Sequence, residues 1–217
     1  MKTKRAITGL SLLFAGLLGI TQVAVGQSSS SSSLPSNTNA FGKGTNVINL
    51  GVGIGGDYTY FGSGYSSTPN IVLSYENGTF GNVGPGTISL GGLLSYKGIS
   101  YDYTEPYSGY TYNQNWNYYI IGFRSAYHWN FTSNDHFDPY VGLMLAYYDI
   151  SYKYTTNDPY YNQAYDPYYA SYSNTYSSYV AFSLYLGARY YFSNSVGVWA
   201  ELGYGYSTLS LGVSFKF

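Results

Sequence analysis

Cysteine is absent from the 217 residues, which excludes both a disulfide scaffold and a lipid anchor on a thiol. Charge is scarce too. Charged residues make up 9% of the chain, against about 25% in ordinary soluble domains. Past the amino-terminal region there is no run of about 18 apolar residues to make a membrane helix. Histidine occurs only at 128 and 136, and no cluster has metal-ligand spacing, so neither a metal nor any other cofactor is expected. A chain too poor in charge for water, yet lacking membrane helices, has one natural membrane solution: a closed β-barrel.

What is present begins with a secretory pattern. Lys2, Lys4 and Arg5 precede the apolar stretch Ala6–Ile20, and Ala24-Val25-Gly26 supplies small residues for cleavage, so residues 1–26 are expected to be a signal peptide. Without those three bases, six of the nine remain against ten acidic residues, a net charge of −4. That balance offers no basic patch and argues against nucleic acid as a partner. Residues 27–46, with serine throughout 28–33, are expected to be a polar periplasmic linker.

From Val47 the alternation of apolar and polar residues predicts about eight strands. They are Val47–Gly55, Asn70–Glu76, Thr87–Tyr101, Tyr119–Trp129, Tyr140–Tyr148, Val180–Phe192, Val196–Tyr206 and Leu209–Phe217. Which face is inside is decided by the polar one. Gly, Ser and Ala dominate it, with a few isolated charges, whereas a solvated exterior would be rich in Lys and Glu. Small residues suit a narrow lumen, so the apolar face is expected to meet lipid. The fold expected for residues 47–217 is an all-β, closed, antiparallel, up-and-down transmembrane barrel. Long connections at Asp57–Pro69, Asp102–Tyr118 and Asp149–Tyr179 alternate with shorter ones at Asn130–Pro139 and Ser193–Ser195, the known asymmetry between the outer and periplasmic ends of such barrels. Asn77–Gly86 reads as an unusually long periplasmic connection.

Two further patterns carry a family resemblance. Leu209-Ser-Leu-Gly-Val-Ser-Phe-Lys-Phe217 alternates without a fault, and Ile121-Gly-Phe-Arg-Ser-Ala-Tyr127 matches Leu186-Gly-Ala-Arg-Tyr-Tyr-Phe192 in its Gly-x-Arg phase. From about Asn46 to Phe217 the chain resembles the outer-membrane β-barrel domain family of small bacterial surface proteins. The resemblance implies residence in the bacterial cell outer membrane, with its lipid and its assembly machinery as partners. It also implies that Phe217 is part of an assembly signal. It implies an architecture more than an activity.

Candidate site residues fall in two groups. Glu76, Lys97, Arg124, Arg189 and Glu201 are expected in a polar cluster inside the lumen, along with His128. Arg189 and Glu201 face each other across the Ser193–Ser195 turn. In a barrel this narrow side chains fill the interior, so the cluster is expected to be a plug. The doubled Asp-Pro-Tyr-Tyr of Asp158–Tyr161 and Asp166–Tyr169 places Tyr160, Tyr161, Tyr168 and Tyr169 beyond strand-breaking prolines, as a surface-binding loop for an unidentified extracellular ligand or surface. His128 near the periplasmic end and His136 in a turn do not suit an outer-leaflet triad, so no enzyme is expected. A structural or adhesive protein is the favoured reading; the alternative is a narrow porin-like or hydrophobic-solute transport barrel.

Overall fold

The computed structural model describes residues 39–56, 64–130, 134–161 and 178–217. The signal region, most of the linker, and Asn162, Gln163, Tyr168 and Tyr169 lie outside them. Nine strands occur among the described residues: β1 (Asn46–Ile54), β2 (Tyr65–Ser67), β3 (Asn70–Val83), β4 (Gly86–Thr104), β5 (Thr111–Trp129), β6 (Phe137–Thr156), β7 (Tyr179–Tyr191), β8 (Val196–Tyr204) and β9 (Leu209–Lys216). Eight form a closed ring of antiparallel neighbours, β1-β3-β4-β5-β6-β7-β8-β9, sealed by β9 on β1. β2 stands outside the ring and, before Pro69, pairs with β4 beyond the end of β3. At the seam the backbones of Asn46 and Phe217 exchange two hydrogen bonds of 3.0 Å.

Facing follows from residue size and polarity. On β1, Leu50, Val52 and Ile54 point out while Val47 and Asn49 are buried. The same holds for Leu143 and Leu145 against Met144 and Ala146 on β6. Bulky inward rings stand opposite glycine: Tyr140 beside Gly187, Tyr185 beside Gly142, and Trp199 beside Gly212. A β-carbon on Gly187 or Gly142 would collide with the facing tyrosine ring. Alternating large and small residues is how a narrow barrel fills its interior.

The ring is lopsided. β4, β5 and β6 run 19, 19 and 20 residues, whereas β1, β8 and β9 run 9, 9 and 8. The long strands extend beyond the ring as a wall, paired without interruption from Gly86–Trp129 to Thr104–Thr111. Along them the outward side chains change character at Tyr96, Tyr119 and Tyr147. On one side of that level lie Leu90, Leu94, Ile121, Phe123, Leu143 and Leu145; on the other lie Ser100, Asp102, Asn115, Asn117, Ser151 and Lys153. The inward face changes the opposite way, to Ile99, Trp116, Tyr118 and Tyr148, all buried. A second outward aromatic level, with Tyr127, Trp129, Tyr190 and Phe192, lies near the short turns. Tyr119 to Trp129 spans eleven residues, close to the length of a strand that crosses hydrocarbon.

Two expectations need correction. The long Asn77–Gly86 connection does not exist: β3 continues to Val83 through register shifts at Gly78/Phe80 and Phe80/Val83. These irregularities erase the period-two pattern that would have announced it. The turn is only Gly84-Pro85, helped by Asn82 and Gly84 at φ 58 and 59. The Asp102–Tyr118 loop likewise shrinks to residues 105–110, because both flanking strands continue into the wall.

Candidate functional site

Inside the ring, toward the short-turn end, buried polar groups from all eight barrel strands meet. Glu76 on β3 bridges two arginines: its Oε1 lies 2.8 Å from Arg124 Nη2 on β5, and its Oε2 lies 2.8 Å from Arg189 Nη2 on β7. Arg124 also donates to Glu201 Oε1 on β8 (2.5 Å) and to the Tyr185 hydroxyl (3.1 Å). Arg189 donates to Asp138 Oδ2 on β6 (2.8 Å) and Asn49 Oδ1 on β1 (3.2 Å). Tyr140 and Tyr206 each donate to Glu201 at 2.9 Å. Ser214 on β9 donates to Asn49 at 2.6 Å, and Ser89 on β4 contacts His128 Nε2 at 3.1 Å.

Each guanidinium also lies over a ring, Arg124 at 4.2 Å from the Tyr185 centroid and Arg189 at 4.4 Å from that of Tyr140. Desolvating so many charges is costly, and mutual pairing with full hydrogen bonding is what offsets the cost. Here that pairing requires every strand to be in register. Glu76, Arg124, His128, Arg189 and Glu201 therefore share one network, and the sequence-based cluster gains Asp138 and three tyrosines.

One expected pair is wrong. Glu201 stands in register with Gly187, and Arg189 with Trp199. The partner of Glu201 is Arg124, reached across the lumen, and those of Arg189 are Glu76 and Asp138. Lys97 lies apart along β4: it is in register with Tyr118, six residues beyond Gly91 opposite Arg124, about 20 Å of strand. Asp138 was missed because Pro139 beside it read as a turn. Proline is tolerated near the start of a strand, and β6 begins at Phe137.

Ser89, His128 and Asp138 fall into a triad-like line: Ser89 Oγ is 3.1 Å from Nε2, and Nδ1 is 2.8 Å from Asp138 Oδ1. All three are at most 2% exposed. Arg189 occupies the other oxygen of Asp138, and the Phe41 ring covers the imidazole at 3.8 Å. A nucleophile must reach an electrophile, whereas Ser89 is fully buried and its hydroxyl is engaged by His128 and the Ala126 carbonyl.

The second site is the end of the wall. Its inward aromatic face packs on itself: Tyr65 on Tyr101 (4.7 Å) and Trp116 (5.8 Å), and Trp116 on Tyr152 (5.3 Å). These tyrosines are a small core of their own. The tip is different. Thr111 N–H donates to Asn157 Oδ1 (2.7 Å), and the Tyr112 hydroxyl donates to Asp158 Oδ2 (3.2 Å), tying the β4–β5 hairpin to the segment after β6. Strand pairing stops at Thr156, and Pro159 sits in a turn in which Tyr160 N–H donates to Asp158 Oδ1 (2.9 Å). On this platform Tyr107 is 98% and Tyr160 87% exposed. Tyr161 instead packs on Tyr154 at 4.9 Å.

No family model matches this chain, and no curated protein matches it. Solved structures do. One is the N-terminal β-barrel domain of Pseudomonas aeruginosa OprF, with 16% identity over 82% of this chain and 100% of that one, at a TM-score of 0.44. Ail, the attachment invasion locus protein of Yersinia pestis, solved with the heparin analogue sucrose octasulfate, shows 11% identity over 81% and 99%, at 0.43. The outer-membrane protein OprG of P. aeruginosa shows 13% identity over 83% and 98%, at 0.38. These are likenesses. The closed eight-stranded ring of this chain is read from its own strand pairing.

Proposed function

We propose that this protein is a small integral barrel of the bacterial outer membrane, with a sealed lumen and a wall that presents tyrosines to an extracellular ligand or surface. The observation that carries this reading is the reversal of facing at Tyr96, Tyr119 and Tyr147. A strand whose apolar side chains point outward and then, a few residues on, inward has crossed from hydrocarbon into water. The wall is then extracellular, and the Gly84-Pro85 and Ser193–Ser195 turns are periplasmic. Exposed tyrosine on a tied platform suits adhesion, since it offers large contact area at low entropy cost. Lipid is the solvent of the band, and the outer-membrane assembly machinery is the partner in biogenesis.

Binding rather than catalysis is the role of this chain. Phosphonylating serine reagents should leave Ser89 unmodified in the folded protein. Topology is tested in intact cells with single cysteines, which the cysteine-free chain makes clean. Ser108→Cys should label with an impermeant maleimide and Asn194→Cys should not; the reverse pattern overturns the proposal. Planar-bilayer recording should give no stable unit conductance, and steady steps would favour the transport alternative.

A further inference from the structure

The short segment before β1 is not a free tether. Ala40 and Phe41 are buried to 3% and 1% exposure, at the short-turn end of the barrel. Ala40 N–H donates to Asn134 O (3.1 Å), and the Ala40 carbonyl accepts from Lys216 Nζ (3.2 Å). Gly44 and Thr45 exchange backbone bonds with Gly78, each 2.8 Å. The Phe41 ring lies flat on the His128 imidazole, centroids 3.8 Å apart at 14°. Arg189 stands 5.8 Å from the same ring.

His128 is the one network member whose charge is conditional. Its Nδ1 faces Asp138 Oδ1 at 2.8 Å, and its Nε2 faces Ser89 Oγ at 3.1 Å and Glu76 Oε2 at 3.4 Å. Ser89 in turn donates to Ala126 O at 3.4 Å, which leaves both ring nitrogens facing acceptors. Three carboxylates (Glu76, Asp138, Glu201) stand against two guanidiniums (Arg124, Arg189), so the network is neutral only with an imidazolium. A cation stacked on an aromatic face is held by the ring quadrupole.

We propose that Asn39–Thr45 is a proton-dependent latch: Phe41 is seated on the His128 imidazolium, and the segment lifts from the barrel mouth when His128 loses its proton. Loss of that proton removes the charge under the ring and one of the two ring N–H groups, so one ring nitrogen becomes an acceptor facing the acceptor it had donated to, two penalties of the same sign. The contact is present at low pH and lost as pH rises through the titration of His128 in the folded protein. The other titratable groups facing this corner are Tyr140 on β6, Tyr191 on β7, Lys216 on β9, and Asp135 and His136 in the β5–β6 turn.

The test is thiol accessibility of Ala40→Cys in the protein folded in micelles. Its labelling rate is divided by that of exposed Asn194→Cys at each pH, to cancel thiolate chemistry. From about pH 5 to about pH 10 the ratio should climb on the order of tenfold. A flat ratio overturns the latch. His128→Gln should be fast and pH-independent. Should that variant fail to fold, Phe41→Leu serves, because it keeps an apolar side chain but loses the quadrupole and should lose most of the step. A full step in Phe41→Leu refutes the stacking mechanism. Lys216→Met should retain the step; its loss there would make Lys216 the sensor and overturn the assignment to His128.

Discussion

β6 contains two strands' worth of chemistry in one run. From Tyr140 to Tyr147 its large aliphatic and aromatic residues at Val141, Leu143, Leu145 and Tyr147 face away from the barrel axis; from Tyr148 onward Ile150, Tyr152 and Tyr154 turn toward it. The period is two throughout and only the phase changes. On the proposed reading, that change of phase matches a change of surroundings, from hydrocarbon below to water above. The two regions also fill their interiors differently. Below, charged groups knit eight strands; above, tyrosine and tryptophan rings join β2, β4, β5 and β6.

The comparison breaks most severely at Glu76. Glu76→Ala leaves two buried guanidiniums without their shared partner, and the barrel should lose about 3–5 kcal/mol in urea unfolding. The Arg124/Glu201 double-mutant cycle should show strong coupling, and the Arg189/Glu201 cycle, linked only through shared partners, a weaker one. Next comes a charge placed on the outer face on either side of the tyrosine level. Leu145→Arg should cost about 2–4 kcal/mol near the middle of the apolar band. Ser151→Arg, on the same face of the same strand, should change stability by less than about 0.5 kcal/mol. Equal costs would place both residues in one solvent.

Deleting Phe217 removes the reciprocal pair with Asn46 and should cost about 1–2 kcal/mol at the seam, with less heat-modifiable barrel recovered from membranes. Phe217→Ser keeps those backbone bonds, so a deficit there in assembly alone would isolate a recognition role for the ring. The smallest effect on stability belongs to the tip. Tyr107→Ser with Tyr160→Ser should shift unfolding by less than about 0.5 kcal/mol while reducing attachment of cells to surfaces. Trp116→Ala, by contrast, should raise hydrogen exchange across the wall and leave the exchange of β8 and β9 unchanged.

Strands in the apolar band were legible because nearly every outward residue from Ile121 to Trp129 and from Leu184 to Phe192 is large and apolar or aromatic, with only the small Ser125 and Ala188 between them. The wall was not legible. Asn113, Asn115 and Asn117 alternate with Tyr112, Gln114, Trp116 and Tyr118, and amide against amphipathic ring is weak contrast that reads as loop. The lumen residues were recognisable as charges on a small-residue face, but their partners were not. Chain proximity across a tight turn suggested Arg189 with Glu201, whereas a long side chain in a narrow barrel reaches its far wall as easily as its neighbour. His128 was legible as inward and Phe41 was not, since a single phenylalanine after a serine tract carries no period.

The uninterrupted pairing of β4 with β5 and of β5 with β6 also has a mechanical meaning. A pull applied at Tyr107 or Tyr160 runs along these strands, so it strains their cross-strand bonds in shear, many together, and cannot peel them singly. The force then passes into the part of the ring where Arg124, Asp138 and Glu76 bind strand to strand. In the proposed role, a molecule built this way could be tugged hard at its tip and pass the tension to the bilayer without coming undone.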